Sequence, residues 1–193
     1  PALARVPVPP LALCAALRQG MRGHEGGRKL TRQTIDPARF RQVLGSYPTG
    51  VCAITAQGAD GAPLGMVVGT FTSVSLDPPL VGFLPDKGSS TWPLIAAAGR
   101  FCVNVLGSDQ QATCRQIAAR GPDKFAGLDY AVSGNDLPVI AGCIARIECT
   151  LHSVNEAGDH WFVLGTVIDM DVTRDGDPML FHRGRYGGFA ELA

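Results

Sequence analysis

The sequence predicts a mainly β fold: a small antiparallel barrel with a few helices packed outside it. Three observations lead there. Glycine and proline occur 24 and 14 times in 193 residues and cut the chain into short apolar runs, the texture of turn-rich β structure rather than a helical bundle. Residues 143–152 alternate cleanly, apolar at 143, 145, 147, 149 and 151 and polar at 146, 148, 150 and 152, the two-residue period of a strand. The elements follow in the order β-β-β-α-β-α-β-β, which suits a closed antiparallel sheet with its helices outside.

Each element has a local reason. Residues 1–35 hold six basic residues and Glu25 as the single acid, with Pro7, Pro9 and Pro10 close together. They are expected to form a disordered leader outside the core, with Met21 as an internal start. "LALCAAL" at 11–17 is too short and too poorly flanked by basic residues for a signal peptide. The folded domain is expected over 36–193. In "DPARFRQVLGSY", Asp36 can cap a helix, Pro37 suits its first position, and Phe40, Val43 and Leu44 fall on one stripe. "GVCAITAQ" reads as a strand, "GADGAP" as a turn, and "LGMVVGTFTSVS" as a second strand running to the Asp77-Pro78-Pro79 stop. "LVGFLP" is a third strand. "SSTWPLIAAAGR" opens with Ser/Thr capping and closes at Gly99, a helix. "RFCVNVLG" is a fourth strand and "DQQATCRQIAAR" another helix. "GCIARIECTLHSVNE" and "HWFVLGTVIDMDV", separated by "AGD", form a long antiparallel hairpin.

The totals exclude several function classes. Seventeen basic and seventeen acidic residues cancel, so neither nucleic acid nor an anionic membrane is expected as a partner. No apolar run approaches the roughly 20 residues of a membrane helix. The six cysteines, Cys14, Cys52, Cys102, Cys114, Cys143 and Cys149, form no C-x-x-C pair and no zinc pattern, so no metal site is expected. Most sit in strand-like runs, where a free thiol behaves as a small hydrophobe, and a reducing cytoplasmic setting fits.

Chemistry must then come from two polar clusters, because the glycine-rich dinucleotide and phosphate loops, the H-E-x-x-H helix and the G-x-S-x-G elbow are absent from the sequence. The first cluster is the hydroxyl run Thr70, Thr72, Ser73 and Ser75, which leads into the apolar Leu80, Val81, Phe83 and Leu84. The second is "KGSSTWPLI" at 87–95. A helix opening near Thr91 leaves backbone N–H groups free, Ser89, Ser90 and Thr91 add hydroxyls, and Lys87 adds charge, which together make a phosphate cradle. The same residues also suit plain helix capping. His160 sits at a hairpin tip, where a histidine can equally be solvated.

"FRQVLGSYPTGVCAITA", "FTSVSLDPPLV", "SSTWPLI", "DKFAGLDY", "LPVIAG" and "GDHWFVLGTV" occur in the order found in the flavin reductase-like family, the short-chain NAD(P)H:flavin oxidoreductases that serve two-component monooxygenases. The chain resembles this family from about Asp36 to Phe189. The resemblance implies an FMN-binding split β-barrel (a Greek-key antiparallel barrel), a homodimer, and FMN or FAD as the flavin, with NADH or NADPH as hydride donor. It implies that Thr70, Phe71, Thr72 and Ser73 line the isoalloxazine, and that Lys87, Ser89, Ser90 and Thr91 hold the phosphate. His160 of "GDH" would lie beside the nicotinamide as the catalytic residue. Arg185 and Tyr186, with Arg183, would reach a cofactor phosphate or the adenine; a solvated tail is the alternative. Phe125 of "DKFAGL" is expected to pack. Reduced flavin would diffuse to a partner flavin-dependent monooxygenase. A flavin-bound electron-transfer protein and a ferric or corrinoid reductase remain open on the same barrel. The chain departs from the family at Val67 and Gly69, where members often carry Thr and Asn or Ser.

A flavin is an apolar plate with a polar edge, so the strand beneath it must offer both surfaces. Hydride transfer from nicotinamide to flavin asks the protein mainly for positioning, so the absence of an obvious nucleophile does not count against the reading.

Overall fold

The Asp-Pro pair starts the first helix where the sequence predicts, α1 (Pro37–Leu44), but its stripe of Phe40, Val43 and Leu44 is exposed rather than packed. The computed structural model describes residues 34–121 and 123–192; most of the expected leader, and Cys14 with it, lies outside these residues. The strands follow as β1 (Thr49–Gly50), β2 (Cys52–Gln57), β3 (Pro63–Val68), β4 (Thr72–Leu76) and β5 (Pro79–Phe83). Next come α2 (Trp92–Ala98), β6 (Arg100–Val105), α3 (Gln111–Ala118), β7 (Tyr130–Val132) and β8 (Pro138–Ile140). The long hairpin is β9 (Ala145–Ala157) and β10 (His160–Val172), and β11 (Leu180–His182) and β12 (Arg185–Gly187) close the series.

Seven strands make one antiparallel sheet in the order β3-β2-β6-β9-β10-β5-β4, joined by a three-stranded sheet β1-β11-β12 and a two-stranded β7-β8 ribbon. Strands far apart in that order share one core. Val68 of β3 and Ile54 of β2 belong to the same cluster as Val81 and Phe83 of β5, Phe101 and Val103 of β6, and Val163 of β10. The sheet is therefore curled, a barrel split open between β3 and β4. Trp92 and Ile95 of α2 complete this cluster, with the Trp92 and Phe101 rings each set edge-on to Phe83.

The alternation of β2 serves both of its faces. Cys52, Ile54 and Ala56 enter the barrel core, while Val51 and Ala53 join Leu106, Cys114, Ile117, Phe125 and Met179 in a second cluster with α3. The cysteines Cys52, Cys102, Cys114, Cys143 and Cys149 are all buried and free. No helix among the described residues is long and apolar enough to cross a membrane.

One expectation needs correction, and two features have no clear signal in the sequence. The single strand read over "LGMVVGTFTSVS" is two strands at opposite ends of the sheet, because the chain turns a corner at 69–71. The stretch 180–187 pairs as a β-hairpin with β1 rather than trailing as a tail. The β7-β8 ribbon, which alternation does not announce, is held by buried polar groups. Ile140 N–H donates to Asn104 Oδ1 at 2.8 Å, and the wholly buried carboxylate of Glu148 accepts Ser133 Oγ at 3.0 Å and Asn135 Nδ2 at 2.7 Å. Arg146 pairs with the same carboxylate and also with Asp169 at 2.8 Å. The polar face of the 143–152 alternation is thus partly interior, because this network satisfies it.

Candidate functional site

The corner between β3 and β4 is built on Thr70. Its hydroxyl accepts the Leu84 N–H at 2.9 Å and lies 3.3 Å from the Leu84 carbonyl, tying the turn to the end of β5. Gly69 leaves room for Thr49, whose Oγ1 would lie 2.8 Å from a Cβ placed there. A larger residue at 69 would force the Thr49 hydroxyl to turn away. Past the corner, β4 is an edge strand of the sheet, and Thr72, Ser73 and Val74 are exposed while Phe71 packs against the barrel core. The Thr72 hydroxyl donates to the Ser73 carbonyl at 3.1 Å; the Ser73 hydroxyl has no hydrogen-bond partner among the described residues. The hydroxyl run is therefore an open edge, with a polar surface above a core anchored by Phe71.

The 86–91 loop borders a cleft of about 600 Å³. Ser89, Ser90 and Thr91 line it together with Met66, Val67, Arg120 and Lys124. Val67, one of the two departures from the family pattern, supplies apolar surface to this cleft and packs on the second core cluster. The helix dipole contributes less than the sequence suggests. The α2 helix has only 7 residues, Pro93 brings no N–H, and the Trp92 N–H is taken by Ser89 Oγ at 3.2 Å. Of the two cations in the cleft, Lys124 is the one tied to its lining. Its Nζ donates to Gly65 O at 2.9 Å and Thr91 Oγ1 at 3.0 Å, and burial holds its pKa below the usual lysine value. Sequence reasoning weighed Phe125 in "DKFAGL" and passed over the lysine before it. Phe125 is buried in the second cluster, 5.4 Å from the Tyr130 ring.

Lys87 does not join the cleft. Its Nζ lies 4.7 Å from the Trp161 ring centroid and 3.5 Å from Glu156 Oε1, on the β9-β10 hairpin. That hairpin turns through Gly158, at φ 68°, and starts β10 with His160. The His160 Nδ1 lies 2.8 Å from Asp159 Oδ1, and this contact holds the Asp159 carboxyl below its usual range. His160 also forms a β-bridge with Asp86, a residue that borders the cleft. His160 and the Ser89–Thr91 loop are thus brought to one end of the barrel, next to the Thr70–Leu84 corner.

Arg185 and Tyr186 lie elsewhere. They line a separate concavity of about 500 Å³ with Pro48, His182 and Arg183. The Tyr186 hydroxyl accepts the Cys114 thiol at 3.4 Å, and its ring sits 5.3 Å from Phe181.

The cleft matches the chemistry of a flavin phosphate. Three hydroxyls and the cations Arg120 and Lys124 converge on it, and the Ser90 hydroxyl and the Arg120 guanidinium have no hydrogen-bond or ion-pair partner among the described residues. The sequence model described as "Flavin reductase like domain" matches residues 44–190. The chain belongs to the flavin reductase-like family.

The relatives of this flavin reductase-like protein agree over most of their lengths. It is 54% identical over 164 residues to a flavin reductase of Pseudomonas putida, covering 85% of this chain and 96% of that one. It is 45% identical to the reductase subunit of a flavin-dependent monooxygenase from Rhodococcus jostii, covering 84% and 83% of the two chains. The crystal structure of a nitrilotriacetate monooxygenase component B homologue from Mycobacterium thermoresistibile superimposes with a TM-score of 0.76 at 44% identity, covering 79% of this chain and 86% of that one. A Streptomyces globisporus NADH:FAD oxidoreductase gives 0.75 at 36% identity, covering 83% and 94%.

Proposed function

We propose that this protein is an NADH-dependent flavin reductase that reduces FMN or FAD and releases it to a flavin-dependent monooxygenase. One observation carries the reading. The hydroxyl-and-cation cleft, the open β4 edge and the His160 turn adjoin one another through the Thr70–Leu84 and Asp86–His160 contacts. Relatives named as an NADH-dependent FAD reductase and an FMN reductase (NADH), 37% and 41% identical, support both the flavin and the donor.

The residues take the following roles. Ser89, Ser90, Thr91 and Lys124 bind the flavin phosphate, and Arg120 adds charge at the same cleft. Thr70, Phe71, Thr72 and Ser73 carry the isoalloxazine, with Phe71 anchoring the strand and the hydroxyls facing its polar edge. The bound flavin supplies the hydride acceptor. His160, its ring turned by Asp159, orients the nicotinamide over it and moves no proton in the transfer. Correct placement of two rings is worth orders of magnitude in rate, which explains why so few side chains are needed. Arg185 and Tyr186, with Arg183, would contact the distal part of a dinucleotide at their own concavity.

Residues 36–193 form the catalytic domain, 1–35 lie outside its core, and 1–20 are dispensable in this reading. The open β4 edge, with Leu76 96% exposed, and the exposed α1 stripe favour a homodimer that covers them. The buried free thiols suit a reducing cytoplasm.

The test is turnover. Purified protein with added FMN or FAD oxidises NADH steadily in air, and light scattering at micromolar concentration gives a dimer mass. Failure to oxidise NADH with either flavin would overturn the reading.

A further inference from the structure

Lys87 opens the loop that borders the phosphate cleft, yet its side chain leaves that cleft. Three contacts join this loop to the β9-β10 turn. Lys87 N–H donates to Asp159 O at 2.9 Å and Trp161 N–H donates to Pro85 O at 2.9 Å, and these two bonds together make the Asp86–His160 bridge. The third is the Lys87 side chain, laid over the Trp161 ring with Glu156 beyond it. Within the loop, the Gly88 N–H donates to Asp86 Oδ1, which fixes the backbone between Lys87 and the cleft-lining serines.

We infer that Lys87 is a positioning residue: its side chain clamps the His160 turn onto the flavin-phosphate loop, so that it governs the nicotinamide geometry and not flavin affinity. The inference rests on the reading of His160 as the residue beside the nicotinamide. The physical argument is one of fixed distances. The turn at the tip of the long hairpin is tied to the 85–87 loop by two backbone hydrogen bonds along one rim, which fix the backbones but not the side-chain surface. A cation held against an indole face adds a contact on the side-chain surface, where the partly covered Lys87 ammonium meets the ring quadrupole. The Glu156 carboxylate is largely exposed, so it guides the ammonium more than it stabilises the turn. Because the same loop lines the phosphate cleft, flavin capture and His160 placement become parts of one rigid unit.

The experiment uses Lys87→Met, which keeps a chain long enough to cover Trp161 but removes the charge, with Lys87→Arg as the conservative rescue. Lys87→Met raises the KM for NADH or slows stopped-flow reduction of bound flavin by about 3- to 10-fold, while the FMN dissociation constant stays within about twofold of wild type. Lys87→Arg restores most of the rate. Amide hydrogen exchange of the flavin-free protein, read at Lys87 and Trp161, speeds up in Lys87→Met and not in Lys87→Arg. In the double variant with His160→Ala, the Lys87→Met penalty largely disappears, because a clamp has nothing left to position. Weaker FMN binding with unchanged NADH kinetics would return Lys87 to the phosphate and overturn the inference. So would unchanged exchange, or a full, additive penalty in the double variant. If His160→Ala alone leaves flavin reduction untouched, the reading of His160 fails and the inference fails with it. An active His160 beside an inert Lys87 sinks the clamp alone.

Discussion

Strands β2 and β4 belong to the same sheet and are of similar length, yet they meet opposite environments. In β2, "CAITAQ", five of six residues are buried and the strand is paired on both sides. In β4, "TSVSL", four of five are exposed and the strand is paired on one side only. Burial makes β2 a structural strand whose one internal hydroxyl, Thr55, is satisfied by Asn104 Nδ2 at 3.0 Å and by nearby backbone carbonyls. Exposure makes β4 a surface, and a polar strand with a free backbone edge is stable only if something else covers it or if it is kept short. The difference teaches that hydroxyls read alike in sequence but act differently according to the strand's rank in the sheet.

The comparison is tested most strongly by truncation in the core. Ile54→Ala in β2 removes a fully buried side chain and lowers unfolding free energy by about 2–5 kcal/mol in urea denaturation. Ser73→Ala in β4 shifts it by less than about 0.5 kcal/mol, because nothing in the fold depends on that hydroxyl. Equal losses at the two positions would erase the distinction between structural strand and ligand edge.

High pH also attacks the buried side of the comparison. Burial pushes the Cys52 thiol of β2 and the Cys149 thiol of β9 up from 9.0 to about 12, with the charge of Glu148 adding to the effect at Cys149. The sign follows from proton counting. Below pH 9 both folded and unfolded thiols are protonated and stability is unaffected; above it the unfolded chain ionises first, so stability falls between pH 9 and about 12. The slope is about 1.4 kcal/mol per pH unit for each thiol. Thiol titration with an alkylating reagent at pH 8 finds Cys52 and Cys149 unreactive until denaturant is added.

Lys124 sharpens the ligand side. Lys124→Met weakens FMN binding about tenfold or more, a loss of about 1.4 kcal/mol, measured by flavin fluorescence quenching. Riboflavin, which has no phosphate, is affected much less, and equal weakening of both flavins would remove Lys124 from the phosphate. The smallest effect is expected at the edge itself. Ser73→Ala weakens both flavins alike, by a few-fold, since its hydroxyl meets the ring and not the phosphate.

Much of this was legible along the chain. The alternation of 143–152, the Asp36-Pro37 helix start and the Gly158-Asp159 turn are local signals, and each appears at the expected place. The "FTSVSLDPP" and "SSTWPLI" segments also carried the family resemblance, because ligand-lining residues leave a local imprint. What local signals could not carry was pairing. Thr70 looked like the middle of one strand, and only its bonds to Leu84 show that the chain turns there. Lys87 and Lys124 illustrate the same limit. Lys87 stands beside the serines in sequence but reaches across to Trp161, whereas Lys124 follows them by more than thirty positions and donates to Thr91.

The sequence by itself determined the class of fold, the strands with strong alternation, the hydroxyl-rich segments and the family, because these depend on period, composition and contiguous residues. The tertiary structure decided which hydroxyls are exposed, which cation enters the cleft, and that Glu148 is buried within a satisfied network. Those outcomes depend on contacts between residues distant in the chain. Side-chain reach and strand order, neither of which a linear pattern encodes, set them.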